Sequence, residues 1–285
     1  MIICYFSKPV EEVAAGVAAM TVVDPREIAN SLGAPSSLAK TAGHVNSRPT
    51  KKTLVFQHHR APNYLEGWNG TTLYSPALSR LVERMDEFQF EPSDLLFAFK
   101  MAASMSSAFG EEKERRDTFN DLLIELLASE VTPRIISRQS EKDITTDGSL
   151  VQLFGRHSAL LLQTEDKVER GHAGCPEAEN LAYYLYFILG QPEVYNKTCC
   201  PVIFLELEGN LLTLSIGAFE GEMVMKDTVF SAVLEVSTVH KRLMERQAAI
   251  WHAVRKGVEE LKAEYGQLLQ SRPGKKIEAS VLFAF

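Results

Sequence analysis

Apolar residues recur at helical intervals through the first part of the chain. Leu78, Leu81, Val82, Met85 and Phe88 fall on one side of a 3.6-residue spiral, and Phe119, Leu122, Leu123, Leu126 and Leu127 do the same. The spacing predicts a helix around 78–88, a second over about 93–108 and a third over about 111–128. After residue 130 the pattern shortens into runs that suit strands. VTPRIIS (131–137) reads as a strand with an edge proline, SLVQLF (149–154) as another, and SALLLQT (158–164) as a central one. GHAGCP then breaks the chain, and 177–189 reads as a helix. PVIFLEL (201–207) and LLTLSIGA (211–218) predict a hairpin around Gly209-Asn210, with a third strand near 222–230. From about 238 to 270 the helical period returns, with Leu243, Ile250, Val254, Val258, Leu261, Tyr265 and Leu268 as its buried stripe. The closing IEASVLFAF suits an edge strand. Residues 1–75 read as irregular, apart from a helix start at Asp24, Pro25 and Glu27.

These elements predict an α/β (α+β) fold, a mixed β-sheet core flanked by helices, in a domain spanning 76–285. A mainly helical N-terminal extension precedes this core. At 285 residues and 45% hydrophobic content, the chain can bury a sizeable core. It has no run of about 18 apolar residues, so no membrane span is expected. Lys8, Pro9, Glu11 and Glu12 interrupt the N-terminal apolar stretch, so no secretory leader is expected. Cys4, Cys175, Cys199 and Cys200 lack CxxC spacing. That argues against zinc and against a disulfide framework, and points to a reducing compartment such as cytoplasm or nucleus.

The formal net charge of −7 counts mildly against nucleic-acid binding. Two local stretches run the other way. Segment 36–62 holds five Lys/Arg and three His with no acid, and reads as a solvated loop or a phosphate-contacting surface. Segment 238–262 holds six Lys/Arg against three acids, and reads as a solvated helix face or the flank of a nucleic-acid cleft.

Candidate chemistry lies in the strand region. The order is helix, strand, Thr146-Asp147-Gly148 turn, strand, a strand ending in Glu165-Asp166-Lys167, then helix. Alternation along a strand puts Glu165 and Lys167 on one face. The turn presents Asp147 from the edge of the neighbouring strand. Two carboxylates and an ammonium at one sheet edge suit magnesium, which takes one or two carboxylates and completes its shell with water and phosphate oxygens. Such a metal activates water and neutralises phosphoryl charge, while the lysine orients the water. An isolated ExK tripeptide is commonplace; the strand, turn and helix around this one set it apart. Other candidates are blander. His44, His58 and His59 read as solvated loop residues. Asn69-Gly70-Thr71 and Asn196-Lys197-Thr198 are sequons that stay idle in a reducing compartment. Tyr183, Tyr184 and Tyr186 suit core packing better than base stacking.

From these residues outward, about 70–270 resembles the PD-(D/E)XK nuclease-like domain of Crinkler-type proteins of fungi and oomycetes. The matching motifs are Glu112-x-x-Arg115-x-x-x-Phe119 followed by LLIELL, then Thr146-Asp147-Gly148, then EDKVERGHAGCPEAENLAYYLYF from Glu165 to Phe187, then TCCPVIFLELEGNLLTLSIGAF (198–219). The resemblance implies a restriction-endonuclease-like core that hydrolyses nucleic acid, DNA more than RNA, with magnesium, or manganese in its place. It implies Asp147 and Glu165 as metal ligands, Lys167 as the catalytic lysine and Glu112 as an accessory acid. Glu169 matches the second acid of ExKxE. Glu179 stands where the family commonly has Gln, and Cys175 where it commonly has Asp. Glu179 still suits a place at the cleft, so it joins the catalytic set. These departures suit the alternative, a degenerate scaffold that binds nucleic acid or a host or partner protein.

Overall fold

The computed structural model describes residues 45–46, 55–57, 70–136, 144–167, 175–220, 223–237 and 240–270. The sheet core is built from β5 (Gly148–Phe154), β6 (His157–Lys167), β7 (Val202–Glu208), β8 (Leu211–Glu220) and β9 (Met223–Val233). Two short strands, β1 (Val45–Asn46) and β2 (Val55–Gln57), extend it beyond β9 in parallel, giving the order β1-β2-β9-β8-β7-β6-β5. Both fall within the stretch expected to be irregular. The sheet is mixed: β6 and β7 run parallel, while β5–β6, β7–β8 and β8–β9 are antiparallel.

Two hairpin turns explain the register. Gly155 (φ 63) and Gly209 (φ 58) each take the first corner of a two-residue turn, where a type II′ hairpin wants a glycine. The Gly209-Asn210 hairpin is the one expected. The 131–137 strand is much reduced. Thr132 forms a bridge to Ser149, and β3 (Ile135–Ile136) pairs antiparallel with β4 (Ile144–Thr145) as a separate two-stranded sheet.

Helices start where the sequence provides caps. α1 (Pro76–Asp86) has Ser75 accepting the Leu78 N–H, with Pro76 at the first position. In α2 (Pro92–Met105), the Asp94 carboxylate accepts the Glu91 N–H at 2.8 Å. α3 (Glu112–Leu127) ends on Ala128 in left-handed conformation (φ 46). α4 (Pro176–Leu189) follows Cys175, and a single turn, α5 (Pro192–Tyr195), leads into β7. α6 (Lys241–Gln270) runs for 30 residues. Among the described residues no helix is long and apolar enough to cross a membrane.

The helices of 76–127 pack directly onto the core. Phe97 of α2 meets Trp251 of α6 edge-on at 5.5 Å, Arg84 of α1 pairs with Glu260 of α6, and Gly257 admits Leu81 and Ile203 against α6. On α6, Ile250, Val254, Val258, Leu261 and Tyr265 are buried as expected, while Leu243 and Leu268 are half-buried. Phe88 departs from the expected stripe. It lies past the end of α1, left-handed (φ 53) and 52% exposed. The expected helix at Asp24, the three histidines, Glu169 and the final edge strand lie outside the described residues.

Candidate active site

β6 is buried along its length apart from half-buried Ser158, and its last three residues carry charge into that buried setting. Glu165 and Asp166 are each 1% exposed and Lys167 9%. Alternation sends Glu165 and Lys167 to one face, which α4 covers, and Asp166 to the other, where α3 lies.

On the α4 face, the Lys167 ammonium donates to Glu165 Oε1 at 2.8 Å and pairs with Glu179 Oε2 at 3.1 Å. Glu112, at the first position of α3, reaches the same ammonium at 3.6 Å and stays open to solvent. Asp147 sits in the bend before β5. Its Oδ2 accepts the Asp166 N–H at 2.9 Å, and its Oδ1 lies 3.6 Å from Arg116. The turn is fixed from below, because Asn120 of α3 donates to the Asp147 carbonyl at 2.9 Å. Gly148 allows this approach: a Cβ there would collide with Thr164 Oγ1 and Asn120 Oδ1. The geometry therefore brings Asp147, Glu165, Lys167, Glu112 and Glu179 together. Sequence reasoning had no signal for Arg116.

Electrostatics mark the cluster as strained in charge. Burial raises the Glu165 carboxyl well above its usual range, and the Asp147 charge and the neighbouring Glu179 side chain push it further. Burial also raises Asp147, against the backbone bond from Asp166 and the charges of Lys167 and Arg116. Lys167 is raised despite its burial, because Glu165 and Glu179 hold its proton. Tyr183 of α4 is raised by burial and by Glu165, Glu179 and Asp147, which places its hydroxyl in the field of the same carboxylates. Tyr184, in contrast, is fully buried, donates to the Cys200 carbonyl at 2.6 Å and serves the core. Tyr186 is also buried. On the α3 face Asp166 faces Arg115 at 3.3 Å, and Arg115 also donates to the Lys167 carbonyl.

One strand away lies a second ionic group that sequence reasoning missed. Glu206 is the register partner of Glu165, so both side chains share a face. Lys226 of β9, fully buried, pairs with Glu206 at 2.8 Å and with Glu177 of α4 at 3.3 Å. Asn180 donates to Glu206 at 3.2 Å. A glutamate inside the apolar run PVIFLEL was the available signal.

Among the described residues, no group of three or more His, Cys, Asp or Glu is arranged to hold a metal. A hard divalent cation does not require such a cage and commonly binds through one or two carboxylates plus water. Two features fit it. Glu165 Oε2 and Glu179 Oε1 are buried without a hydrogen-bond partner. On the α4 face, Asp147, Glu165, Glu179 and Glu112 outnumber Lys167 and Arg116 by two formal charges. Cys175, at the N-cap of α4, makes no side-chain capping bond. Comparison of the chain with family models, with curated proteins and with solved structures gives no match.

Proposed function

We propose that the protein is a metal-dependent nuclease with a restriction-endonuclease-like core, hydrolysing phosphodiesters of nucleic acid, DNA before RNA. The observation that carries this reading is the convergence of Asp147, Glu165 and Lys167, with Glu112 and Glu179, near the carboxyl ends of the parallel strands β6 and β7. Open α/β sheets bind ligands at that end. The ordered motif resemblance to the Crinkler-type nuclease-like domain supports the same reading.

Asp147 and Glu165 would hold magnesium, or manganese in its place, with the partnerless Glu179 oxygen beside them. The bound ion would supply an activated water and charge neutralisation at the phosphoryl group. Lys167 is the cation poised to steady that water or a phosphate oxygen, and Arg116 guards the far side of Asp147. Glu112, at the open mouth, is the accessory acid. The cysteine usage fits action in a reducing compartment, cytoplasm or nucleus, and a host nucleus if the protein is an effector.

A second reading is a scaffold that keeps this fold and binds nucleic acid or a partner protein without cutting. One observation favours it: the Lys167 ammonium lies between Glu165 and Glu179, where carboxylates would otherwise share an ion. The test is incubation of supercoiled and linear DNA with the full chain and magnesium or manganese. Nicking that disappears in Glu165→Ala and in Lys167→Met, with a melting temperature that rises on adding metal, is the expected result. Intact DNA and an unmoved melting temperature under both metals would leave the scaffold reading.

A further inference from the structure

Half of the six Lys/Arg of the stretch 238–262 are paired within the fold. Arg255 is held by Asp94 and Glu91, Lys241 by Glu245 and Lys256 by Glu259. Arg242 and Arg246, one turn apart near the start of α6, are exposed, and among the described residues no carboxylate pairs with either. Both line a groove of about 680 Å³ together with Phe88, Phe90, Leu243 and Glu245. The wall is mostly apolar, and Glu245 is occupied by Lys241. Arg246 also lies 5.2 Å over the Phe230 ring.

Phe88 is the unusual member. α1 closes with a Schellman turn, in which the Gln89 N–H donates to the Arg84 carbonyl at 3.2 Å. Phe88 occupies the left-handed position that such a turn normally gives to glycine. A bulky side chain at φ 53 is strained, and at 52% exposure it gains little burial in return. The ring is thus held toward solvent at the lip of a groove with two guanidinium groups that no carboxylate among the described residues pairs.

We infer that this groove binds single-stranded nucleic acid, with Phe88 as a base-stacking platform and Arg242 and Arg246 as phosphate contacts. Ring faces accept any base, and guanidinium groups track the backbone, so binding is tolerant of sequence. The apolar wall favours a base over a purely ionic ligand, and the two arginines favour an anionic backbone over a neutral apolar peptide. The inference rests on the nucleic-acid reading above, and binding measured in EDTA separates it from cleavage.

The experiment is fluorescence anisotropy of a short labelled oligothymidylate with the full chain in EDTA, across a salt series. Phe88→Gly suits the backbone better than the native residue, so it should fold with an equal or higher melting temperature and bind about tenfold more weakly. The double variant Arg242→Gln/Arg246→Gln should flatten the salt slope by about 0.7 per lost phosphate contact. Parent-like affinity and slope in both variants would overturn the inference, as would absence of binding by the parent chain. Polyglutamate that displaces the label as well as unlabelled oligothymidylate would overturn it too, and would make the groove a docking face for acidic proteins. Intact binding with no cleavage in magnesium would refute the nuclease reading alone.

Discussion

Asp166 carries an acid–base burden that its neighbours only partly relieve. Burial pushes its carboxyl up to about 7, while Arg115 pulls it down and Asp147 adds to the rise. The unfolded chain loses this proton near pH 4. Between about pH 4 and about pH 7 the native state therefore binds a proton that the unfolded state has released, and stability from this group falls as pH rises through that window. Glu165 and Asp147, also raised, act in the same sense. The urea midpoint should drop between about pH 5.5 and about pH 8, and Asp166→Asn should flatten the drop. A midpoint that climbs over that interval refutes this account. Gly148 gives a second residue-level prediction. Gly148→Ala forces Thr164 and Asn120 away from the Asp147 turn, at a cost of about 1–3 kcal/mol, and should weaken any metal response along with stability. Parent-like unfolding in this variant would mean that the turn yields freely.

At the scale of elements, α4 is clamped to the sheet by two similar ionic groups. Lys167 bridges strand Glu165 to helix Glu179, and Lys226 bridges strand Glu206 to helix Glu177. The first opens toward the mouth through Glu112; in the second Lys226 and Glu206 are buried and half-buried Glu177 forms the outer edge. Lys226→Met should leave Glu206 buried with no cation and cost roughly 3–5 kcal/mol, with much of the loss recovered by adding Glu206→Leu. Equal stability of the single variant and the parent would show that α4 does not depend on this pair. The two clamps differ in how readily a sequence betrays them. Glu165 and Lys167 share a face through strand alternation, a local property, and Glu179 follows on the next helix. Lys226 reaches Glu206 only through the registers of β7, β8 and β9, which no short window contains. Phe88 misled for a related reason. Helical period continued through it, but the helix ended two residues early, at Asp86, without a glycine to announce the stop.

For the molecule as a whole, the mixed sheet and the long final helix were legible because their apolar patterns are long and regular. The way α1 and α2 dock was not, since it depends on distant polar contacts such as Asp94 with His252 (2.7 Å) and Arg255 (2.9 Å). These contacts, with Phe97 against Trp251, tie the helices of 76–127 into the core that the sheet and α6 share. Residues 70–270 should therefore unfold as one cooperative unit, with far-UV circular dichroism and tryptophan fluorescence losing signal together. Phe97→Ala should shift both curves equally, by about 3–5 kcal/mol. Curves that separate would reveal an independent helical layer. The pairing of β5 with β6 across a two-residue turn carries a kinetic consequence. Asp147 and Glu165 belong to one hairpin and can meet within microseconds of chain collapse. Glu179 and Glu206 arrive only when the crossover through α4 and α5 delivers β7, which is slower because its loop is longer. During that interval Asp147 and Glu165 stand close with Lys167 as the cation their own hairpin supplies, so Asp147→Asn, which removes the repulsion, should speed refolding while abolishing the metal response.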